Sequence, residues 1–403
     1  MTAFNPKIAV ARLFGLSDTD IYFLKSIRHR HWVLRAFAPG SRLIPLARLE
    51  VPPKQDVDEN DYALSRRIIG YYHLVRAESG TRGERSPMWD RNLGAAQAPL
   101  IAALEAKDER LVAELLSGFL RSQIVHGIDT GSTYTGRNWR VHSLVLLDGL
   151  VSLAEQLGVV RTESGQGVAA AALANGPRAL VDAIERELGI CIGVPNVGSP
   201  YGLSLNGSFL TSFSTEYVHV AWRIREAATL FVRTPEKLTC SEIGAGYGRT
   251  AYFLFRLMGD RIARYNMIDL PEIGCLQAYY LGKALGPDNV SFLGEDSAGV
   301  IRILPPQSLP TDSPSHLVIN QNSLPEIPAA AARGYISWIA ENLRGIFFSY
   351  NHETLVPGGH FAVTSVPEIV NEVGGLERIA RNLSWLRPGY VEEIYVPIRT
   401  NLT

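Results

Sequence analysis

Little in this sequence favours one charge, one kind of surface or one covalent staple. The 403 residues hold three cysteines, Cys191, Cys240 and Cys275, with no C-x-x-C pair among them. Reduced core thiols and a cytoplasmic location are the expectation. Lys and Arg number 39 against 40 Asp and Glu, a net charge of −1. That leaves no basic footprint for nucleic acid and no pull toward an acidic membrane. No Asn-Pro-Pro-aromatic motif occurs to hold a flipped base. The first twenty residues carry Lys7, Arg12 and Asp18 among short apolar runs and do not read as a secretory signal. No later stretch has the uninterrupted length of a membrane span. Internal repeats and low-complexity tracts are missing as well. What is present is a hydrophobic content of 46% with 20% charged residues, enough for an ample core, and a length that predicts two domains.

Leu238 to Leu270 organise the rest of the chain. Leu238-Thr239-Cys240-Ser241-Glu242-Ile243 is short and apolar enough for a buried strand. Gly244-Ala245-Gly246-Tyr247-Gly248 follows. Ala251, Leu254, Phe255 and Met258 then stand at i, i+3, i+4 and i+7, one face of a helix. Past Gly259, Tyr265-Asn266-Met267-Ile268 reads as a second strand ending at Asp269. Strand, glycine turn, helix and a strand with a terminal carboxylate make the first half of a nucleotide-binding α/β unit.

The dinucleotide fingerprint G-x-G-x-x-G is broken, because its last glycine would fall on Arg249. Glu242-x-Gly244-x-Gly246-x-Gly248 stands in its place and resembles the first motif of class I S-adenosylmethionine-dependent methyltransferases. For that ligand, Gly244 and Gly246 let the backbone come close where a Cβ would meet the donor. Glu242 would help hold the donor ammonium. Asp269 would accept both ribose hydroxyls and repel a 2′-phosphate. Ala245, Tyr247 and Leu270 complete the expected donor contacts.

Before residue 200 the patterns are helical. Ser17-Asp18-Thr19-Asp20 caps a segment through Ile21, Phe23 and Leu24. Further helices are predicted over 61–77, 107–125, 139–157 and 178–188, that over 139–157 well buried because two leucine-rich stripes share it. Glycine- and serine-rich joints separate them. The reading is a mainly α-helical accessory domain, 1–195, that caps the active-site mouth or forms a homodimer. The stretch His126 to Tyr134 could offer hydroxyl-recognising groups, but a solvated loop between two helices is the favoured reading. Gly193 to Gly207 is the expected joint, followed by a helix over 208–229. Tyr217 on that helix is a candidate donor contact, although its spacing also fits packing.

The catalytic domain, 196–403, alternates strands with helical runs, which predicts a doubly wound, mainly parallel α/β sheet. A helix is predicted from Pro271 and strands at 290–293, 317–319, 346–350, 360–366 and 391–398, with helices from Pro328 and over 376–386. Ligands in such sheets bind beyond the carboxyl ends of the strands. That edge collects Glu295 and Asp296, expected at the adenine, together with Asn320, Gln321, Glu326 and Asn351 to Glu353.

Glu242 to Gly248, Ile268-Asp269-Leu270-Pro271-Glu272, Asn322-Ser323-Leu324-Pro325-Glu326 and Ser349-Tyr350-Asn351-His352-Glu353 together resemble a family of sugar O-methyltransferases. The resemblance covers about the last half of the chain. It implies a class I Rossmann-like fold, S-adenosylmethionine as methyl donor and a carbohydrate hydroxyl as acceptor. A protonated sugar hydroxyl is a poor nucleophile, so a general base within hydrogen-bond reach is expected. His352 is the first candidate, with Glu326 and Glu353 as competitors; His360 reads as structural. A divalent metal is compatible with such chemistry but has no diagnostic ligand spacing here. The alternatives are a natural-product O-methyltransferase acting on a phenol or another small-molecule hydroxyl, and a non-catalytic regulatory subunit that keeps the donor fold.

Overall fold

The computed structural model describes residues 16–37, 44–78, 87–164, 166–234, 237–295, 299–353 and 364–398. Contacts divide the chain into two units that interleave in sequence. The first joins 1–53, 130–219 and 385–388; the second joins 54–129, 220–384 and 389–403. The contacts therefore do not follow a boundary at 195/196, because residues 54–129 fold with the second unit.

The first unit is mainly helical. Ser17 caps the helix Asp18–Ser26: its hydroxyl accepts the Asp20 N–H while the Asp20 carboxylate accepts the Ser17 N–H. The helix Trp139–Gln156 is buried from Val141 to Glu155, as its two apolar stripes predict. The joint expected at 193–207 carries three short strands, β1 (Val194–Pro195), β2 (Leu203–Leu205) and β3 (Ser208–Leu210), in the antiparallel order β1-β3-β2. Asn206 and Gly207, at φ 45° and 91°, make the two-residue turn between Leu205 and its partner Ser208. This turn draws 208–210 into a strand, so the helix expected from 208 begins instead at Ser214 and runs to Phe231.

The second unit is built on eight strands, β4 (Leu238–Ile243), β5 (Ile262–Ile268), β6 (Val290–Phe292), β7 (Ile301–Leu304), β8 (Ser315–Gln321), β9 (Leu343–His352), β10 (Leu376–Leu383) and β11 (Tyr390–Pro397). Their order is β10-β11-β9-β8-β4-β5-β7-β6. All pairs from β6 to β9 are parallel, and β11 runs antiparallel between β9 and β10. A parallel sheet with one antiparallel strand inserted beside its edge is the class I methyltransferase arrangement, here extended by β6. On one side Ile243, Val318, Phe347 and Tyr395 form a core with Ile336 and Ile339 of the helix Ala329–Asn342 and Ile369 and Val370 of the helix Val366–Val373.

Residues 54–129 join this unit through the helix Glu59–Glu78, which packs on the helix Pro271–Leu285. A Cβ on Gly274 would stand 2.7 Å from Tyr71 Oη, so the missing side chain lets the two helices close. Buried Asp61 pairs with Lys283 Nζ at 2.9 Å and accepts the Tyr279 hydroxyl at 3.0 Å. The helix expected over 107–125 stops at Leu116 and continues as short turns at Phe119–Arg121 and Gln123–Val125, interrupted at Gly118 and Ser122.

Three further expectations change. β7 was not foreseen. The segment 376–386, expected as a helix, is the edge strand β10. Its Leu376, Ile379, Ala380 and Leu383 have helical spacing, but Arg381 and Asn382 stand opposite Glu393 and Glu392 of β11 and bond to them at 2.8 and 3.2 Å. Cross-strand pairs of this kind stabilise the ladder. The strand expected at 360–366 falls partly outside the described residues, as does His360, and Val366 opens a helix with Pro367 in its first turn.

Candidate functional site

The loop after β4 turns through three glycines in the left-handed region, Gly244, Gly246 and Gly248, at φ 66°, 55° and 100°. Gly244 N–H reaches Ile268 O of β5 at 2.9 Å, and Gly248 begins the helix Arg249–Met258 by accepting the Tyr252 N–H. The protein's own neighbours also constrain these glycines. A Cβ on Gly244 would overlap Ser323, one on Gly248 would come 2.9 Å from Leu281, and one on Gly246 would meet Ile128 at 3.1 Å. The backbone of Gly244, Ala245 and Gly246 remains half-buried rather than sealed.

Asp269, at the carboxyl end of β5, is drawn onto this loop. Its Oδ2 accepts the Gly246 N–H and the Gln277 side-chain amide, each at 3.2 Å, and its Oδ1 accepts the Leu270 N–H at 2.8 Å. Enclosure by protein raises its carboxyl to about 7, against the backbone N–H groups of Leu270 and Gly246, which favour the anion. Part of its surface stays exposed. Glu242 lies deeper and is 1% exposed. Burial pushes its carboxyl to about 8, although Tyr265 donates its hydroxyl to Oε2 at 2.7 Å and favours the charged form. Tyr247 is buried, with its hydroxyl on Asp129 at 3.2 Å and its ring edge-on to Phe119 and Tyr280. It props the loop.

Other predicted contacts have structural partners. Glu295 is held by Arg67, with bonds of 2.8 and 3.0 Å, and by the Phe292 N–H. Its carboxyl sits below the usual range, because Arg67 and that N–H outweigh the cost of burial. An adenine would have to compete with this ion pair. Asp296 lies outside the described residues. Asn320 braces three strand ends: its amide donates to Ile243 O at 2.8 Å and to Ser323 Oγ, and its Oδ1 accepts from Asn351 at 2.9 Å. Gln321 Oε1 accepts the Thr250 hydroxyl, while its buried Nε2 has no hydrogen-bond partner among the described residues. Tyr217 belongs to the first unit, half-buried on the helix Ser214–Phe231.

The three candidate bases differ sharply. Glu353 is gripped by Arg381 through two bonds of 2.7 and 2.8 Å, which holds its carboxyl below the usual range. That makes it a poor proton acceptor. His352 ends β9, half-buried, with its ring tilted against Tyr390 at 5.7 Å. Glu326 is half-buried in the turn Leu324–Glu326 after β8, its N–H on Ser323 O. Both stand in segments that follow carboxyl ends of the sheet.

Four residues have roles at this loop that the sequence reading did not give them. Gln277 is fully buried and bridges Asp269 to Gly246, donating to Gly246 O at 2.8 Å. Ser323 locks the loop by donating to Ile243 O at 3.1 Å. Its segment was visible as a motif, but its partner was not. Ile128 stands against Gly246, and Asp129 pairs with buried Arg249 as well as Tyr247. The solvated-loop reading therefore fails for Asp129, whose side chain is 7% exposed. No spacing in the sequence links residues 128 and 129 to the glycines. Among the described residues no group of three acids, cysteines or histidines is placed to hold a metal ion, and no helix is long and apolar enough to cross a membrane.

No protein-family model matches the sequence, and no curated protein matches it. Similar solved structures include a magnesium protoporphyrin IX methyltransferase from Synechocystis PCC 6803 with bound SAM, at 13% identity over 45% of this chain and 78% of that one, TM-score 0.32. A glycopeptide N-methyltransferase complexed with sinefungin matches at 17% identity over 44% of this chain and 93% of that one, TM-score 0.32. An O-methyltransferase family protein from Burkholderia thailandensis matches at 11% identity over 64% of this chain and 72% of that one, TM-score 0.36. Likenesses this distant leave the fold to be argued from the strand order and the site from its residues.

Proposed function

We propose that this chain is an S-adenosylmethionine-dependent O-methyltransferase whose acceptor is a hydroxyl of a carbohydrate or other small molecule. One observation carries the reading: the Glu242-x-Gly244-x-Gly246-x-Gly248 turn is held against Asp269 by the Gly246 N–H, beyond the carboxyl ends of β4 and β5. In a sheet of this class that edge is where a nucleoside ligand sits.

The residues present fit the donor. Asp269 keeps lone pairs on Oδ1 beyond the one used by Leu270, so it can accept ribose hydroxyls. The buried Gln277 Oε1 has no hydrogen-bond partner among the described residues and stands beside it as a further acceptor. Half-buried Ala245 and Gly246 present backbone rather than bulk. When bound, the donor supplies a sulfonium methyl that is already electrophilic.

The protein's task is then alignment and proton removal. Acceptor oxygen, methyl carbon and sulfur must lie in line, with the reacting atoms roughly 3–3.5 Å apart. The acceptor's proton passes to a base, and His352 is the side chain best suited to take it near neutral pH. Glu353 is disfavoured by its ion pair with Arg381, which leaves Glu326 as the alternative base.

Isothermal titration with S-adenosylmethionine tests the donor, and absence of binding by the intact chain removes the proposal. A screen of glycans and phenols with labelled donor then identifies the acceptor. On that acceptor, His352→Ala is expected to abolish turnover while leaving donor affinity within about twofold, and unchanged turnover transfers the base role to Glu326.

A further inference from the structure

Two residues far from the glycine loop in sequence close on it in space. Ile128 Cγ2 lies 3.1 Å from where a Cβ on Gly246 would stand. The Gly246 N–H is taken by Asp269 at 3.2 Å and its carbonyl by the Gln277 amide at 2.8 Å. Ile128, Gly246 and Asp269 each keep part of their surface exposed. The open face of the loop is therefore bordered by Ile128 as well as by Asp269. The next residue, Asp129, holds the end of the loop. Its Oδ2 accepts the Tyr247 hydroxyl at 3.2 Å and stands 2.5 Å from Arg249 Nη2. Tyr247 and Arg249 flank Gly248, the last glycine.

A cation at this position is costly by itself. Arg249 is the first residue of the helix Arg249–Met258, where the partial positive charge of the helix N-terminus disfavours another positive group. Its side chain is 3% exposed and that of Asp129 7%, so both have lost hydration, and their pairing offsets that loss. The ligand read for this loop is a cation as well. S-adenosylmethionine carries a sulfonium, an ammonium and a carboxylate, one positive charge in all. Its demethylated product, S-adenosylhomocysteine, has no sulfonium and is a neutral zwitterion. An Arg249 without its carboxylate would repel the first ligand more than the second.

We propose that Asp129 is a positioning residue of the donor site: it neutralises Arg249 at the end of the glycine loop, so that the loop admits a cationic donor, while Ile128 beside it lines the open face and touches the ligand. The proposal rests on the donor reading given above. It gives residues 128 and 129 two separable effects. The apolar contact of Ile128 serves both ligands alike, and the charge of Asp129 serves the methylated one.

Calorimetric titration of the full chain with each of the two ligands separates these effects. Asp129→Asn keeps an oxygen for the Tyr247 hydroxyl and removes the charge. Its Kd for S-adenosylmethionine is expected to rise about tenfold and that for S-adenosylhomocysteine about twofold, as for one uncompensated charge nearby at an effective dielectric constant of about 20. Arg249→Gln leaves the opposite charge uncompensated and should shift the ratio of the two constants the other way. A merely structural role weakens both ligands equally in each variant, and an unchanged ratio overturns the charge role. Ile128→Ala alters a half-buried side chain, so it should fold even where a stranded charge does not. It is expected to weaken both ligands by about fivefold, as for the loss of one or two buried methylene contacts. Unchanged affinity for both ligands in this variant overturns the placement of the segment at the donor. These outcomes leave the donor reading standing, whereas a wild-type chain that binds neither ligand overturns both.

Discussion

Replacing Gly244 by alanine tests what holds the donor loop in shape. Two penalties are readable from the structure. A residue with a Cβ at φ 66° costs about 1–2 kcal/mol in the left-handed region. The new methyl also overlaps Ser323 Oγ and Cβ, and overpacking of this order costs about 1–3 kcal/mol. Together they predict a loss of roughly 2–5 kcal/mol. Ser323→Gly removes the obstacle at a lower cost. Ser323 donates to Ile243 O and accepts from Asn320, but the Asn320 amide keeps its own bond to Ile243 O at 2.8 Å. About 1–2 kcal/mol is the expected cost of that change alone. In the double variant the overlap is gone and the dihedral strain remains, so it should be more stable than additivity predicts by about 1–3 kcal/mol.

Urea unfolding of the four proteins measures this coupling. Ser323→Ala is the control, because it keeps the Cβ and should relieve much less. Additivity within about 0.5 kcal/mol refutes the account of Gly244 as a residue required by its own neighbour. A Gly244→Ala protein of full stability that has lost only donor binding refutes it more directly, since the ligand would then be the sole reason for the glycine.

Asp61→Ala is expected to cost about 3–5 kcal/mol, because it strands Lys283 and the Tyr279 hydroxyl where residues 54–129 meet the sheet; loss of cooperative unfolding in the second unit, followed by urea titration, checks this. In the first unit, burial alone would lower the His29 pKa. Bonds to Asp148 and Glu155, at 2.7 and 3.4 Å, outweigh it and raise the group from 6.5 to about 9. The stabilisation of about 3 kcal/mol is therefore fully present below pH 6.5 and lost as pH rises through 9, and a wild type that loses no more stability than His29→Gln between pH 6 and 9.5 contradicts it.

What the sequence made legible was local. The turn after β4, the helix it opens and the acid ending β5 were readable because glycine spacing, helical period and strand length agree over thirty residues. The hairpin at Asn206-Gly207 was equally readable, but the helical spacing of Tyr217, Val220, Ile224 and Ala228 was carried too far back and hid it. β10 shows the opposite failure. Its spacing is helical, and only Glu392 and Glu393 on the neighbouring strand make it a strand. Residues 54–129 were read with the accessory domain, since Asp61 and Tyr279 are 218 positions apart and Arg67 and Glu295 are 228. No period spans such distances.

The glycine loop shows how far a motif can be taken. Its spacing spells a ligand, yet two of its three glycines are already accounted for, Gly244 by its overlap with Ser323 and Gly248 by its φ of 100°. Those two positions would be glycine in this fold whether or not a donor ever bound. Gly246 also stands at positive φ, which favours glycine by itself. The weight of the donor reading therefore moves to a feature the protein alone does not explain, a buried glutamine oxygen with no bond among the described residues. An unsatisfied acceptor beside a carboxylate that sits near its titration point is costly to keep. A protein that had lost its ligand would have little reason to retain it, which favours a bound donor and leaves catalysis to be tested at His352.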